Sequence, residues 1–321
     1  MPHISDVSYR APFWQWNGHV QSIYPSMFRK VHFRYDYRER LELEDGDFVD
    51  LDWHQQHTIH KKLVIITHGL EGDSGRHYVT GMAKKFVAQG WDALGWNCRS
   101  CSGEPNRLLR FYHHGDANDL RAVIQHAIDK YGYENIVLIG FSMGGSLSLR
   151  SVGEFPDQVP TAVKKVIGIS VPCDLYASVQ ALSEPGNNIY VKRFLKKLGK
   201  KIREKSIRYA DQISYDGYEQ IKTFIEFDNR YTAPLHGYTD ALDFYARASV
   251  KPLLPQIQIP VLLIQALNDP FLSEACMGYE AAAINPNIVL ETTGAGGHCG
   301  FMLAGSDETY AERRAISFAN G

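Results

Sequence analysis

The chain has 321 residues and a formal net charge of −2, and charged residues make up 22% of it. This near-neutral balance does not indicate a nucleic-acid-binding protein. Hydrophobic residues make up 44%, as in ordinary globular enzymes, and no apolar stretch approaches the ~20 residues of a membrane span. The first residues lack an apolar core after a basic stretch, so no signal peptide is expected.

The cysteines favour a cytoplasmic protein. Their number is five and they are scattered, which is typical of reduced cytosolic thiols. Cys98 and Cys101 form a C-x-x-C pair. A zinc site would need a second such pair, and a redox site would need a thioredoxin-like setting, and the sequence offers neither. We therefore expect neither a metal nor a cofactor.

In chain order, short apolar strands alternate with amphipathic helices after an aromatic-rich arm over residues 1–40. RLELEDGDFVDLDW (40–53) predicts a hairpin with an Asp-Gly turn. Buried strands are predicted at 63–67, 91–96, 136–139, 165–171, 260–266 and 288–291. Helices are predicted at 76–89, at 114–131, from the end of the strand at 136–139 to about 155, and at 306–318. This alternation predicts one α/β domain with a mostly parallel central sheet flanked by helices.

The alternation is interrupted at roughly 175–255, where helical patterns occur without a buried-strand run. We expect a helical lid inserted above the carboxyl ends of the strands, where ligands bind in such folds. Its basic run, Lys192 to Lys205, favours a solvated lid helix. The alternative is a helix that touches an anionic membrane or acyl substrates. The apolar residues of this helix share one face: Val191, Leu195, Leu198 and Ile202.

The stretch IVLIGFSMGGSLSL, from Ile136 to Leu149, combines a buried strand, a tight turn and a helix. The turn has the form G-x-S-x-G around Ser142, the context of a nucleophile elbow. We expect Gly140 and Gly144 to lie where strand and helix pack too closely for a Cβ. The alternative is a glycine-rich helix start with a serine N-cap.

A serine nucleophile needs a base and a third group that orients the base. In α/β-hydrolases the chain order is serine, acid, histidine, and here Ser142, Asp269 and His298 follow that order, each after a predicted strand. His298 is the predicted general base and Asp269 its orienting acid. Asp174 also follows a strand and is the competing acid. Taken singly, Asp269 could be a turn former and His298 a loop histidine.

The developing oxyanion needs two hydrogen-bond donors. The residue after the nucleophile supplies one backbone N–H, which assigns Met143. The loop after the strand at 63–67 contains His68-Gly69-Leu70, and we assign the second N–H to Leu70.

Several stretches together resemble the YheT-like family of α/β-hydrolases, bacterial relatives of eukaryotic lipid esterases and ethanol acyltransferases. They cover almost the whole chain: LELEDGDFVDLDW (41–53), ITHGLEGDSGRHYVTGMA (66–83), NCRSCSGEPN (97–106), GFSMGGS (140–146), FDNRYTAPLHGY (227–238), LNDPF (267–271) and GGHCGF (296–301). The resemblance implies carboxylic-ester hydrolysis through Ser142, Asp269 and His298, with acyl transfer to an alcohol as an option. FDNRYTAPLHGY comes only with the family and has no place in the elbow argument.

The leading hypothesis is a serine esterase that cleaves a small-molecule ester of a short to medium acyl chain. Two alternatives stand beside it. One is an acyltransferase of the same fold, in which an alcohol replaces water. The other is a non-catalytic ligand-binding protein on a hydrolase scaffold, against which a complete serine, acid and histidine set argues.

Overall fold

The computed structural model describes residues 3–5, 8–56 and 61–321, and in these residues nine strands form one sheet. The strands are β1 (His3–Ile4), β2 (Tyr37–Glu42), β3 (Phe48–His54), β4 (Lys62–Thr67), β5 (Asp92–Asn97), β6 (Asn135–Phe141), β7 (Val163–Ile169), β8 (Val261–Ala266) and β9 (Ile288–Thr293). Their order across the sheet is β1-β9-β8-β7-β6-β4-β5-β3-β2. Strand β3 is antiparallel to β2 and to β5, and the other neighbours are parallel.

The helices follow the strands along the chain. They are α1 (Gly18–Phe28), α2 (His77–Val87), α3 (Asn118–Tyr131), α4 (Met143–Gly153), α5 (Leu175–Leu182), α6 (Asn188–Arg208), α7 (Phe224–Phe227), α8 (Ala233–Leu235), α9 (Ala241–Ala248), α10 (Tyr279–Ile284) and α11 (Tyr310–Asn320). Across the three described ranges, none of the helices combines the length and the hydrophobicity that crossing a bilayer would require.

Alternate residues of the central strands face two separate hydrophobic cores. Leu63 and Leu138 pack with residues of α3 and α4 on one face of the sheet. Val64 and Ile139 pack with residues of α2 and α11 on the other. Side chains alternate across a strand, so a strand covered on both faces has a continuous apolar sequence. The predicted α/β fold, with a mostly parallel sheet flanked by helices, is confirmed.

Two helices begin later than predicted. Helix α3 begins at Asn118, not at residue 114, and the Asn118 N–H donates to Asp116 Oδ1 in a turn that precedes it. Helix α11 begins at Tyr310, not at residue 306, because Thr309 and Glu312 form a capping box. The predicted hairpin is present, with Leu41 opposite Val49.

The arm predicted over 1–40 extends too far, because its last residues already belong to the sheet. Residues 37–40 lie in β2, while β1 pairs in parallel with β9 and α1 packs on the loops after β8 and β9. The approach of α1 is close: a Cβ added at Gly18 would lie 1.9 Å from the backbone O of Asn268.

The inserted segment, 175–255, is fully described and contains α5 to α9, with no strand. Helix α6 is its longest element, with 21 residues. Its predicted apolar face is confirmed, since Val191, Leu195, Leu198 and Ile202 are buried. A π-helical turn over Asp228–Thr232 joins α7 to α8.

The prediction that the basic run is a solvated helix face is wrong for one stripe of α6. Lys197 Nζ donates to Glu71 O at 2.7 Å and Lys201 Nζ to Glu71 Oε1 at 2.6 Å. One turn further on, Lys205 Nζ donates to Asn106 Oδ1 at 2.9 Å. These three lysines attach α6 to the loops after β4 and β5. The exposed lysines of the run are Lys192, Lys196 and Lys200.

The close approach of α1 predicts that Gly18→Ala destabilises the protein. The clash is with backbone, so the helix must shift, at a cost on the order of 1–3 kcal/mol. Chemical denaturation measures it. Gly294→Ala is the matched control, because an added Cβ there meets nothing within 4 Å. Equal stability of the two variants would contradict the packing of α1 described above.

Candidate active site

Ser142 lies in a strained turn between β6 and α4, with φ 54° and ψ −121°. Positive φ is unfavourable for a residue with a Cβ. The turn is tight because a Cβ added at Gly140 would lie 2.1 Å from Gly144 O, and one at Gly144 would lie 2.3 Å from Thr67 O. The expectation that neither glycine position has room for a Cβ is confirmed. Ser142 makes no side-chain cap to α4, contrary to the N-cap alternative.

Asp269 and His298 are in direct contact. Asp269 Oδ2 lies 2.8 Å from His298 Nδ1, and Asp269 Oδ1 accepts a hydrogen bond from the N–H of Phe271. The carboxyl is fully buried. Phe271 stacks on the imidazole, with ring centroids 4.0 Å apart. The competing acid, Asp174, instead accepts from the N–H of Ala177 and caps α5.

Ser142 and His298 line the same two cavities. No hydrogen bond joins their side chains among those of the described residues. Such catalytic hydrogen bonds are commonly long without substrate and tighten when it binds. Because His298 Nδ1 contacts Asp269, the other ring nitrogen of His298, Nε2, is the one available to Ser142.

The environment of His298 favours its protonated form. Burial lowers the pKa of the imidazole, but Asp269, with a smaller contribution from Cys299, outweighs burial and raises the pKa above its ordinary value of 6.5. An imidazole held by a carboxylate in this way accepts a proton more readily than a free one.

The two backbone N–H groups predicted for an oxyanion flank Ser142. Met143 is the first residue of α4, where N–H groups have no partner in the helix. Leu70 lines both cavities beside Ser142, and its N–H has no acceptor within the described ranges. His68, which precedes this loop, is buried and accepts from the N–H of Cys98 at 3.1 Å. Its ring therefore fixes the loop and stays out of the cavities.

The first cavity, which we call the apolar cavity, lies between the sheet and the inserted helices. Its lining is mainly aliphatic and aromatic, including Leu175, Val179, Leu182, Phe194, Leu198 and Phe244. Such a lining suits a hydrocarbon chain.

The FDNRYTAPLHGY stretch supplies a polar group to the apolar cavity. Asp228 is buried there and accepts hydrogen bonds from Thr232 Oγ1 at 2.5 Å and Tyr245 OH at 2.6 Å. Burial raises the pKa of Asp228 to about 6, against the opposing effect of these two donors. The π-helical turn that begins at Asp228 is a feature often found at functional sites.

Sequence reasoning missed Gln21 and Ser22 on α1. Gln21 is buried, and its Oε1 accepts from Asn268 Nδ2 at 2.9 Å and from the N–H of Gly296 at 2.7 Å. Ser22 Oγ accepts from the N–H of His298 at 2.7 Å. Helix α1 therefore holds together the two loops that carry Asp269 and His298.

The C-x-x-C pair, Cys98 and Cys101, does not line either cavity beside Ser142. Cys98 and Cys101 are free thiols. Over the residues with described positions, no group of three or more histidine, cysteine or acidic side chains is arranged to hold a metal ion.

Comparison with known proteins agrees with this fold. The family model described as "alpha/beta hydrolase fold" matches residues 62–304. The Escherichia coli protein named putative esterase YheT is 31% identical over 290 residues, covering 89% of this chain and 84% of the relative. Human phospholipase ABHD3 is 28% identical over 320 residues, covering 95% and 77%. A Pyrococcus furiosus esterase, PF2001, superposes with a TM-score of 0.61 at 18% identity, covering 90% and 91%, which supports the fold. The chain belongs to the α/β-hydrolase fold family and is similar to YheT-like members of it.

Proposed function

We propose that the protein is a serine hydrolase that cleaves carboxylic esters of short to medium acyl chains through an acyl-enzyme on Ser142. The observation that carries this proposal is the buried Asp269–His298 pair, which opens onto the same apolar cavity as the strained Ser142. The curated relatives named as an esterase and a phospholipase support ester hydrolysis in general.

In the proposed reaction, Ser142 Oγ attacks the ester carbonyl carbon while His298 Nε2 takes the hydroxyl proton. The carbon–oxygen bond to the alcohol then breaks, and the imidazolium gives its proton to the leaving alkoxide. A water molecule next attacks the acyl-enzyme and gives its proton to Nε2. Release of the carboxylic acid returns a proton to Ser142. Asp269 stays ionised and stabilises the imidazolium in both steps.

The oxyanion formed in each step would accept hydrogen bonds from the N–H groups of Met143 and Leu70. One such donor typically contributes about 3 kcal/mol to transition-state stabilisation. The acyl chain would lie in the apolar cavity, with the inserted helices (residues 175–255) as its lid. The lining of the apolar cavity favours an acyl chain, because the hydrocarbon leaves water for apolar contacts there.

The first test is Ser142→Ala. We expect it to abolish both labelling by a fluorophosphonate probe and turnover of p-nitrophenyl butanoate, because no other group supplies the nucleophile. Ser317→Ala, an exposed serine on α11, is the control and should retain both. Folded wild-type protein that takes up no probe and turns over no ester would contradict the proposal and favour a non-catalytic binding protein.

A second test follows from the charge state of His298. The neutral imidazole is the base, and its pKa is raised above 6.5, so kcat/KM should rise with pH through a limb above that value. Asp269→Asn removes the contact that raises the pKa, and should lower the rate on the order of 10⁴-fold and shift the limb downward. Asp174→Asn is the matched control, because Asp174 caps α5. A wild-type limb at or below the ordinary value would contradict the proposed role of Asp269.

A third test concerns Gln21 as a positioning residue. Gln21→Met keeps the volume but leaves the Gly296 N–H and the Asn268 amide without their acceptor. Displacement of the loops should lower kcat between about 10-fold and about 10²-fold with little change in KM. Gln89→Met, at an exposed position, serves as the control. If the pH profile and kcat of Gln21→Met equal those of the wild type, α1 does not position the site.

A further inference from the structure

The apolar cavity contains one carboxyl group. Among the described residues that line it, Asp228 is the only aspartate or glutamate. Asp228 is buried and begins the π-helical turn of the inserted segment, so the lid contributes it to the cavity. Ser142 and His298 line the same cavity from the ends of β6 and β9. One space thus contains the proposed nucleophile and a carboxyl that the proposed reaction does not use.

The carboxyl of Asp228 has no cationic partner. Across residues 3–5, 8–56 and 61–321, no lysine, arginine or histidine nitrogen lies within 4.0 Å of it. Its hydrogen-bond donors are two neutral hydroxyls, those of Thr232 and Tyr245. A carboxylate offers about four acceptor positions, so about two remain unused. A charge buried among hydrocarbon with few hydrogen bonds is unfavourable, and the raised pKa of Asp228 reflects that cost.

Most other polar side chains that line the apolar cavity already have partners within the protein. They hydrogen-bond as follows: Tyr112 and Lys201 donate to Glu71, Ser178 donates to the carbonyl of Phe271, and His113 accepts from the N–H of Gly115. These contacts attach the loops and inserted helices to one another. They therefore account for the presence of these side chains without a ligand.

His114 differs from these side chains. It lines the apolar cavity, and none of the hydrogen bonds among the described residues involves its imidazole. Burial, with a smaller contribution from Arg150, lowers the pKa of His114 to about 4. The ring is therefore neutral near pH 7, with one N–H donor and one acceptor nitrogen. Asp228 and His114 thus bring unused hydrogen-bonding capacity to a lining otherwise suited to hydrocarbon.

A hydroxyl group is the chemistry that fits these two side chains. It donates one hydrogen bond, which a carboxylate accepts, and it accepts another, which a neutral imidazole can donate. A carboxylate on the substrate would be repelled by the charge of Asp228, and a carbonyl has no proton to donate to it. An ammonium group would lose far more hydration free energy than a hydroxyl on entering this lining.

We propose that Asp228 is a specificity-determining residue that accepts a hydrogen bond from a hydroxyl group on the acyl chain, so that preferred substrates are esters of hydroxylated acyl chains. This inference rests on the proposed function, because it places the acyl chain in the apolar cavity. The carboxyl on the lid then distinguishes a hydroxylated chain from a plain one. An apolar wall without Asp228 would instead disfavour the hydroxyl, which would lose its hydrogen bonds to water.

The experiment compares four methyl esters that have the same chain length and differ only in a hydroxyl. They are methyl octanoate and its 3-hydroxy, 6-hydroxy and 8-hydroxy derivatives, and titration of the released acid measures their hydrolysis. The measured quantity is the ratio of kcat/KM for each hydroxylated ester to that for methyl octanoate. This ratio cancels any general effect of a variant on folding or active-site concentration.

We expect the wild type to prefer at least one hydroxylated ester about 10-fold, since a hydrogen bond to a charged group is a strong one. Asp228→Leu removes the acceptor and should abolish that preference. Asp228→Asn keeps an acceptor oxygen but loses the charge, and should lower the ratio about 3-fold. Asp211→Leu is the control, because Asp211 is an exposed aspartate of the inserted segment and does not line the cavity.

A purely structural role of Asp228, as the acceptor that joins the π-helical turn to Tyr245 on α9, gives a different result. Loss of that contact would lower kcat/KM for all four esters by a common factor and leave the ratios unchanged. If Asp228→Leu does not fold, the ratios of Asp228→Asn decide between the two roles.

The outcomes separate this inference from the proposed function. Ser142-dependent turnover with no preference for any hydroxylated ester, or ratios that Asp228→Asn leaves unchanged, would overturn the role of Asp228 and leave the serine hydrolase intact. Failure of folded wild type to hydrolyse any of the four esters, together with failure to react with a fluorophosphonate, would overturn both.

Discussion

The backbone-to-backbone contact at the β6–α4 turn is the constraint on which the rest of the site depends. Gly144 lies against the carbonyl of Thr67, at the end of β4, and Gly140 lies against Gly144 itself. Neither contact leaves space for a side chain, so the turn cannot relax without moving β4. The same contact therefore fixes the strained position of Ser142 relative to the loop that contains Leu70. The same packing contact therefore positions the proposed nucleophile and both of the proposed oxyanion donors.

The second half of the site lies on loops that the sheet alone does not fix. Asp269 and His298 follow β8 and β9, and the loops that bear them are joined through Gln21 on α1. On the opposite side, lysines of α6 attach the inserted helices to Glu71 in the loop after β4. A parallel sheet brings the ends of its strands to one edge. Helices α1 and α6, which lie outside the sheet, then hold the loops after these strands in fixed positions.

Features that depend on residues close together in the sequence could be predicted, whereas features that depend on contacts between distant residues could not. The strands were predictable because burial on both faces leaves a continuous apolar run, and the G-x-S-x-G turn is defined by contacts within a few residues. The start of α11, which we predicted at residue 306, could have been predicted correctly, since Thr309 and Glu312 have the spacing of a capping box. For α6, a spacing of four between Lys197, Lys201 and Lys205 is a signal that these lysines share one stripe, although not of what the stripe contacts.

The role of Gln21 was beyond sequence reasoning. Its two acceptor contacts join residues 247 and 275 positions apart, and a glutamine in a helix has no pattern that marks such a partner. The lining of the second cavity beside Ser142 was equally hidden, because Arg76 and Arg193 come to the same cavity only after α6 has packed above the sheet. Local patterns thus predicted the elements and the order of Ser142, Asp269 and His298, whereas the elements that brace them arise from tertiary contacts.

The attachment of α1 to the loops after β8 and β9 has a consequence for how the protein forms. During synthesis on the ribosome, α1 emerges long before the loops after β8 and β9 to which it binds. Those pairings have a very high contact order, and closing such long loops is slow and entropically costly. Docking of α1 should thus be a late event. A nascent chain that has already formed β4 to β7 still lacks the contacts that position His298.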